Sequence, residues 1–239
     1  MNDKHDLLPL KLNRSEKWDE EYNFLMADPW LKKKLERENR LKEHYDYIDQ
    51  YLPEIKTAES GLVIDLGPGC GELLEIARKY KHEILGVDAK TGEGGMGDGY
   101  LSVSQLMTER QKIPVEYVGF SEWIERDFCN LTSSVVVINS RGSIEQMYHN
   151  HMEGVPHDKH QCCGKLAWKI TGMLEDEFMR MFRVFWTLLR PGGVVRIHAN
   201  GARNTNEYDD LIRECSKTSG LKLIANESNR LHKWVKPLN

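Results

Sequence analysis

Two carboxylates and three glycines carry the first readable chemistry of this chain. Residues 62–71 read Leu-Val-Ile-Asp-Leu-Gly-Pro-Gly-Cys-Gly, so an apolar run reaches Asp65 and passes at once into glycine at 67, 69 and 71. Such a run reads as a strand. Alternate glycines let the backbone turn sharply and let a ligand approach it, and Glu72–Tyr80 has helical spacing after the turn. A second apolar run, Ile84–Val87, ends in Asp88, where a carboxylate at a strand tip can accept hydrogen bonds from both hydroxyls of a ribose. These residues imply a nucleoside cofactor.

A second cluster lies in Met147–Cys163, where His149, His151, His157 and His160 are four of the nine histidines and stand beside Cys162 and Cys163. A histidine with an ordinary pKa near 6.5 is neutral at physiological pH and can take a hydroxyl proton. His149 and His151 are the candidate catalytic base, with Glu145 as an orienting partner. A metal site and a solvated loop are the competing readings. The histidine intervals match no familiar zinc spacing, and no metal ligand is assigned.

The dinucleotide fingerprint G-x-G-x-x-G has no need of an Asp in the preceding strand, whereas this chain reads D-x-G-x-G-x-G. Val63–Gly71 stands as a first motif, Val135–Ile138 followed by Asn139 as a fourth strand, and Leu188–Gly193 leading into Val194–His198 as a fifth. On these stretches the chain resembles the class I (Rossmann-like) S-adenosylmethionine-dependent methyltransferases over roughly residues 60–239. The resemblance implies an α/β fold, a doubly wound and mostly parallel seven-stranded sheet. It also implies S-adenosylmethionine (SAM) as cofactor. Gly67, Pro68, Gly69 and Gly71 would then lie against its methionine and ribose portion, with Asp65 reaching the amino group directly or through water. Asp88 and Ala89 follow the second strand, Phe120 after the third would pack on the adenine, and Asn139 would face the cofactor from the fourth. The acidic residue that often contacts the adenine amino group in this family has no counterpart here. Asn139-Ser-Arg-Gly-Ser143 also stands where many amino-methyltransferases carry Asn/Asp-Pro-Pro-Tyr/Phe. That departure argues against adenine or glutamine N-methylation and for transfer to oxygen, and a histidine-rich, mixed-charge site suits a small polar metabolite or sugar. RNA or protein methylation, a non-catalytic SAM-binding protein and a Rossmann-type oxidoreductase are the alternatives.

The elements that must position these residues alternate along the chain. Strands are expected at Leu62–Leu66, Glu83–Val87, Val115–Val118, Val135–Ile138, Val194–His198, Leu221–Ala225 and Leu231–Val235, the last two as a hairpin. Helices are expected at Glu72–Tyr80, Ser102–Gln111, Leu174–Leu189 and Asn206–Thr218, with Phe178, Met181, Phe182, Phe185, Trp186 and Leu189 as a core stripe. Residues 59–239 form the expected cofactor-binding domain and 1–58 a helical appendage, with helices at Ser15–Met26 and Asp28–Leu52. Leu31, Leu35, Leu41, Tyr45, Ile48 and Leu52 form an apolar stripe on the second of these helices. It reads either as packing against the core or as a lid over the site. The glycine-rich stretch Thr91–Gly99 reads either as a connector or as a loop that closes near the adenosine; it lacks the Gly-Lys-Ser/Thr ending of a phosphate loop.

Composition narrows the partners. The net charge of −4 over 239 residues gives no general attraction to nucleic acid, and Lys32-Lys33-Lys34 is interleaved with acidic residues nearby. No apolar run approaches a membrane span, and the N-terminus is polar, so a cytoplasmic protein acting on a small molecule is expected. Five cysteines at irregular spacing read as reduced thiols.

Overall fold

The computed structural model describes residues 27, 29, 37–88, 105, 107–109, 111–144, 164–198, 205–227 and 231–238. In chain order the elements are α1 (Arg37–Tyr51), α2 (Glu54–Thr57), β1 (Leu62–Leu66), α3 (Glu72–Lys79), β2 (Glu83–Asp88), β3 (Val115–Tyr117), α4 (Phe120–Ile124), β4 (Val135–Arg141), α5 (Gly164–Leu188), β5 (Leu189–His198), α6 (Thr205–Lys217), β6 (Lys222–Glu227) and β7 (Leu231–Val235). The seven strands form one sheet in the order β3-β2-β1-β4-β5-β7-β6. β1 to β5 pair in parallel, and β7 runs antiparallel to both β5 and β6. The mostly parallel seven-stranded sheet and its terminal hairpin agree with the sequence reading.

Alternation along each strand sorts side chains onto two faces. One face presents Ile64, Leu66, Ile138, Val195, Ile197 and Trp234 to the apolar stripe of α5 and to Tyr208, Ile212 and Cys215 of α6. Phe178, Met181, Phe182 and Phe185 on that stripe are fully buried. The other face presents Val63, Val137, Val194 and Val235 to α1 and α3. Tyr47, Ile48, Leu52 and Ile55 are buried in this second core, with Leu41 and Tyr45 packed at its edge. The described part of the apolar stripe is therefore a packing surface.

Several elements differ from the sequence reading in their extent or existence, among them β5, which begins at Leu189 rather than Val194. β4 continues through Asn139, Ser140 and Arg141 rather than ending at Ile138, because Asn139 and Ser140 are buried and find partners within the fold. α5 begins ten residues before the expected Leu174 and carries Gly172 in its interior; a single glycine costs a helix only about 1 kcal/mol. The short helices α2 and α4 carry too few residues for a periodic signal.

Ile48 has no exposed surface and sits in the core shared by α1 and the sheet. Ile48→Ala removes that packing and should lower stability by about 2–4 kcal/mol in urea unfolding. A loss below about 0.5 kcal/mol would mean that α1 is not held by its apolar face.

Candidate active site

In an open α/β sheet ligands gather beyond the carboxyl ends of the strands, and here that edge is built from buried polar residues. Asp65 on β1 is in register with Asn139 on β4, which is in register with Arg196 on β5, which pairs with Lys233 on β7. These side chains follow Val63, Val137, Val194 and Val235 on the α1 face, so an apolar row is succeeded by a polar row. Asn139 donates from Nδ2 to Asp65 Oδ1 at 2.7 Å. Its Oδ1 accepts from the Tyr47 hydroxyl at 2.8 Å and from Arg196 at 3.5 Å. The Arg196 guanidinium lies 4.1 Å from the Tyr47 ring centre and 4.6 Å from that of Tyr51. Lys233 Nζ donates to the Tyr51 carbonyl at 3.2 Å and to Glu54 at 2.9 Å, fastening the α1–α2 junction to the sheet.

Burial raises the Asp65 carboxyl to about 7, the Asn139 hydrogen bond works against this, and the nearby charges of Asp88 and Glu72 add to the rise. Asp65 thus keeps its proton well above the pH at which an ordinary aspartate has lost it.

The glycine loop between β1 and α3 adopts the conformation its residues allow. Gly67, Gly69 and Gly71 have φ of 72°, 56° and 82°, in the left-handed region that penalises side chains. A Cβ on Gly67 would also stand 2.7 Å from Ser143 Cβ, and one on Gly71 would stand 2.3 Å from Ile113 Cδ1. The loop is therefore closed against the end of β4 on one side and against Ile113 on the other. Pro68 is buried, and its ring underlies Gly86 of β2.

Glu72 opens α3 directly after this loop and is 2% exposed, with Arg40 of α1 at 2.8 Å. Arg40 also donates to Cys70 Sγ at 3.1 Å. One turn along α1, the His44 ring nitrogen Nδ1 lies 2.8 Å from the Arg40 carbonyl. A carbonyl only accepts, so Nδ1 carries the proton and Nε2 is left with its lone pair. Burial holds the His44 pKa below the ordinary histidine value, Glu72 pulls it up, and Arg141 and Arg40 push it down.

Asp88 ends β2, half-buried and in register with Tyr117 of β3. The Tyr117 hydroxyl bonds Thr108 at 2.9 Å. Its pKa is raised by burial first, with the neighbouring Asp88 charge adding to this. Phe120 opens α4 beside this strand end and stacks on the buried Trp123 with ring centres 6.0 Å apart. The preceding Gly119 would place a Cβ in open space.

The structure thus brings Asp65, Gly67, Pro68, Gly69, Gly71, Asp88 and Asn139 to one edge of the sheet, with Phe120 at its β3 end. Ala89, the stretch 91–99, and His149, His151, His157 and His160 lie outside the described residues. Among the described residues no group of His, Cys, Asp or Glu is placed to hold a metal ion, and no helix is long and apolar enough to cross a membrane. Sequence reasoning missed Arg40, His44, Tyr47, Arg141 and Arg196. Their one signal is the spacing Arg40, His44, Tyr47, Tyr51, a polar-aromatic stripe at helical intervals beside the apolar one.

No family model matches the sequence, and no curated protein matches it. Solved structures do match. Streptomyces venezuelae DesVI aligns at TM-score 0.50 and 13% identity over 89% of this chain and 98% of its own. The antibiotic-resistance methyltransferase Kmr aligns at TM-score 0.43 and 15% identity, covering 79% and 92% of the two chains. A SAM dependent methyltransferase from Archaeoglobus fulgidus gives 0.40 and 15%, covering 74% and 60%. The chain has the class I methyltransferase fold. Within that fold the glycine loop, the Asp88 tip and the end of β4 share the edge at the carboxyl ends of the strands.

The residues of this edge fit a nucleoside without a pyrophosphate. A dinucleotide would set its diphosphate against the start of the helix after the glycine loop. At that place stands the buried carboxylate of Glu72, ion-paired with Arg40 at 2.8 Å, so the helix start is already satisfied from within the chain. Asp88, half-buried at the tip of β2, stands where a carboxylate can accept from a ribose diol.

The raised Asp65 carboxyl gives a pH prediction. A carboxyl raised by folding keeps its proton where the unfolded chain has released it, so its contribution to stability is present near pH 4 and is lost as pH rises to about 7. Asp65→Asn keeps an acceptor for Asn139 and removes the titration. Wild type should lose about 2–4 kcal/mol more than the variant between pH 4 and pH 7, read from urea unfolding at each pH. Parallel pH profiles would show that Asp65 titrates normally.

Proposed function

We propose that the protein is a SAM-dependent methyltransferase acting on a small polar acceptor, with transfer to oxygen. The observation that carries this reading is the combination of the left-handed glycine loop, the buried Glu72 behind it and Asp88 at the tip of β2, because together they suit an adenosine without phosphates. Bound SAM would supply a methyl group activated by its sulfonium. The chain's own contribution is alignment and, for a hydroxyl acceptor, removal of its proton.

Asp88 would accept from the ribose hydroxyls, Gly67, Pro68, Gly69 and Gly71 would lie against the sugar and the methionine, and Ala89 and Phe120 would contribute to the adenosine side of the site. Asn139, already bonded to Asp65, Tyr47 and Arg196, acts chiefly by fixing the floor of the site. His149 and His151, which follow β4 in the chain, are the proposed base, and residues 1–58 form the appendage whose described part covers that floor. A protein of this kind works in the cytoplasm on diffusible substrates.

Incubation with isotopically labelled SAM and a panel of polar acceptors tests the activity, transfer of label to an acceptor being the expected result. Asp88→Ala should weaken S-adenosylhomocysteine binding about 30- to 150-fold in calorimetry. His149→Ala or His151→Ala should lower turnover about 100-fold or more with that affinity unchanged. An Asp88→Ala variant with wild-type affinity would remove Asp88 from the site. Full turnover in both histidine variants would remove the proposed base.

A further inference from the structure

The chain as a whole is negative, yet the end of β4 gathers positive charge. Arg141 is the last residue of β4 and points to the same face as Asn139, two residues before it. In the parallel pairing of β1 and β4 the register runs Asp65 to Asn139 and Leu66 to Ser140, which sets Arg141 beside Gly67 at the start of the glycine loop. Its guanidinium lies 5.2 Å from the centre of the Tyr47 ring. Tyr47 is itself buried and fixed through its hydroxyl to Asn139, so the arginine rests on a rigid platform.

The neighbouring cations are already engaged. Arg40 holds Glu72 and Cys70, and Arg196 is buried between two tyrosines with Asn139. Arg141 is exposed, and among the described residues no carboxylate lies within ion-pair distance of it. A planar five-donor guanidinium set beside a fixed aromatic ring is suited to a carboxylate or phosphate.

We propose that Arg141, braced on Tyr47, forms an oxyanion subsite that takes a carboxylate or phosphate group of the methyl acceptor. The proposal deepens the methyltransferase reading and rests on it. Arg141 ends β4, the neighbour of β1 on the side away from Asp88, so a ligand seated on Asp88 and the glycine loop would extend across β1 toward it. The acceptor class is therefore narrowed from polar molecules to anionic ones that bear a hydroxyl within a few bonds of the acidic group.

The test uses the full chain and three variants, Arg141→Gln, Arg141→Lys and, as a control distant in sequence, Arg126→Gln. Inorganic phosphate is the probe, followed by ³¹P line broadening in the presence of saturating S-adenosylhomocysteine, whose own affinity is measured by calorimetry. Wild type and Arg126→Gln should bind phosphate in the millimolar range. Arg141→Gln should weaken phosphate tenfold or more while changing S-adenosylhomocysteine affinity less than twofold, and Arg141→Lys should recover part of the phosphate binding. In acceptor screens, acids should outperform their neutral amides, and Arg141→Gln should erase that preference. Phosphate binding indifferent to Arg141 would overturn the subsite. A tenfold loss of S-adenosylhomocysteine affinity in Arg141→Gln would overturn it differently, by assigning the arginine to the cofactor's carboxylate. Failure of wild type to bind S-adenosylhomocysteine at all would strike the methyltransferase reading, and phosphate titration of the unloaded protein would still report on Arg141.

Discussion

The hydrogen bond from Asn139 to Asp65 is the contact on which the ligand edge of this molecule depends. Both residues are almost fully buried, and a carboxyl in that position is tolerable only with a donor at hand or a proton of its own. Here it has both in part, since Asn139 donates at 2.7 Å and burial lifts the carboxyl to about 7. Asn139 in turn needs donors for its own oxygen, and Tyr47 and Arg196 provide them. Each buried polar group thus calls for the next, and the chain of demands ends at α1. The helix is placed over the sheet by its apolar face and oriented by Tyr47, and the same orientation brings Arg40 to Glu72 and His44 to the mouth of the site. Loss of one member of such a buried set typically costs about 3–5 kcal/mol, because the remaining partners stay buried and unsatisfied.

The helix start after the glycine loop has a second consequence for ligand choice. The exposed backbone amides at a helix N-terminus attract anions. In this protein the first residue of that helix is a buried glutamate balanced by an arginine from α1. The attraction is satisfied internally, so the loop is left to contact a ligand by shape and by backbone hydrogen bonds. This is a physical reason for the glycine pattern to serve an adenosine rather than a dinucleotide.

Much of this was legible in the sequence, and the reasons for the gaps are local. The strand positions of Leu62–Leu66 and Leu231–Val235 could be read directly, because a short apolar run with turn residues at its ends suits few structures besides a strand. The glycine loop after β1 was legible because three alternate glycines leave a clear mark. The end of β4 was not, since Asn139, Ser140 and Arg141 look like a loop until lateral partners on β1, β5 and α1 supply their hydrogen bonds. Arg196 was hidden for a similar reason, being one charged residue inside an apolar run whose burial depends on Tyr47 and Tyr51, far earlier in the chain. Arg40, His44 and Tyr47 belong to a helix whose mean polarity resembles a solvated surface, and only tertiary structure shows that its polar stripe faces inward.

We propose that this edge of the sheet takes an adenosine-containing sulfonium cofactor in preference to a dinucleotide, whose pyrophosphate would meet a helix start already satisfied by the Glu72–Arg40 pair. The most direct measurement is calorimetric titration of the wild-type protein with S-adenosylhomocysteine and, separately, with NAD. The account predicts one-site binding of S-adenosylhomocysteine and no measurable binding of NAD at the same concentrations. Tighter binding of NAD than of S-adenosylhomocysteine would contradict it.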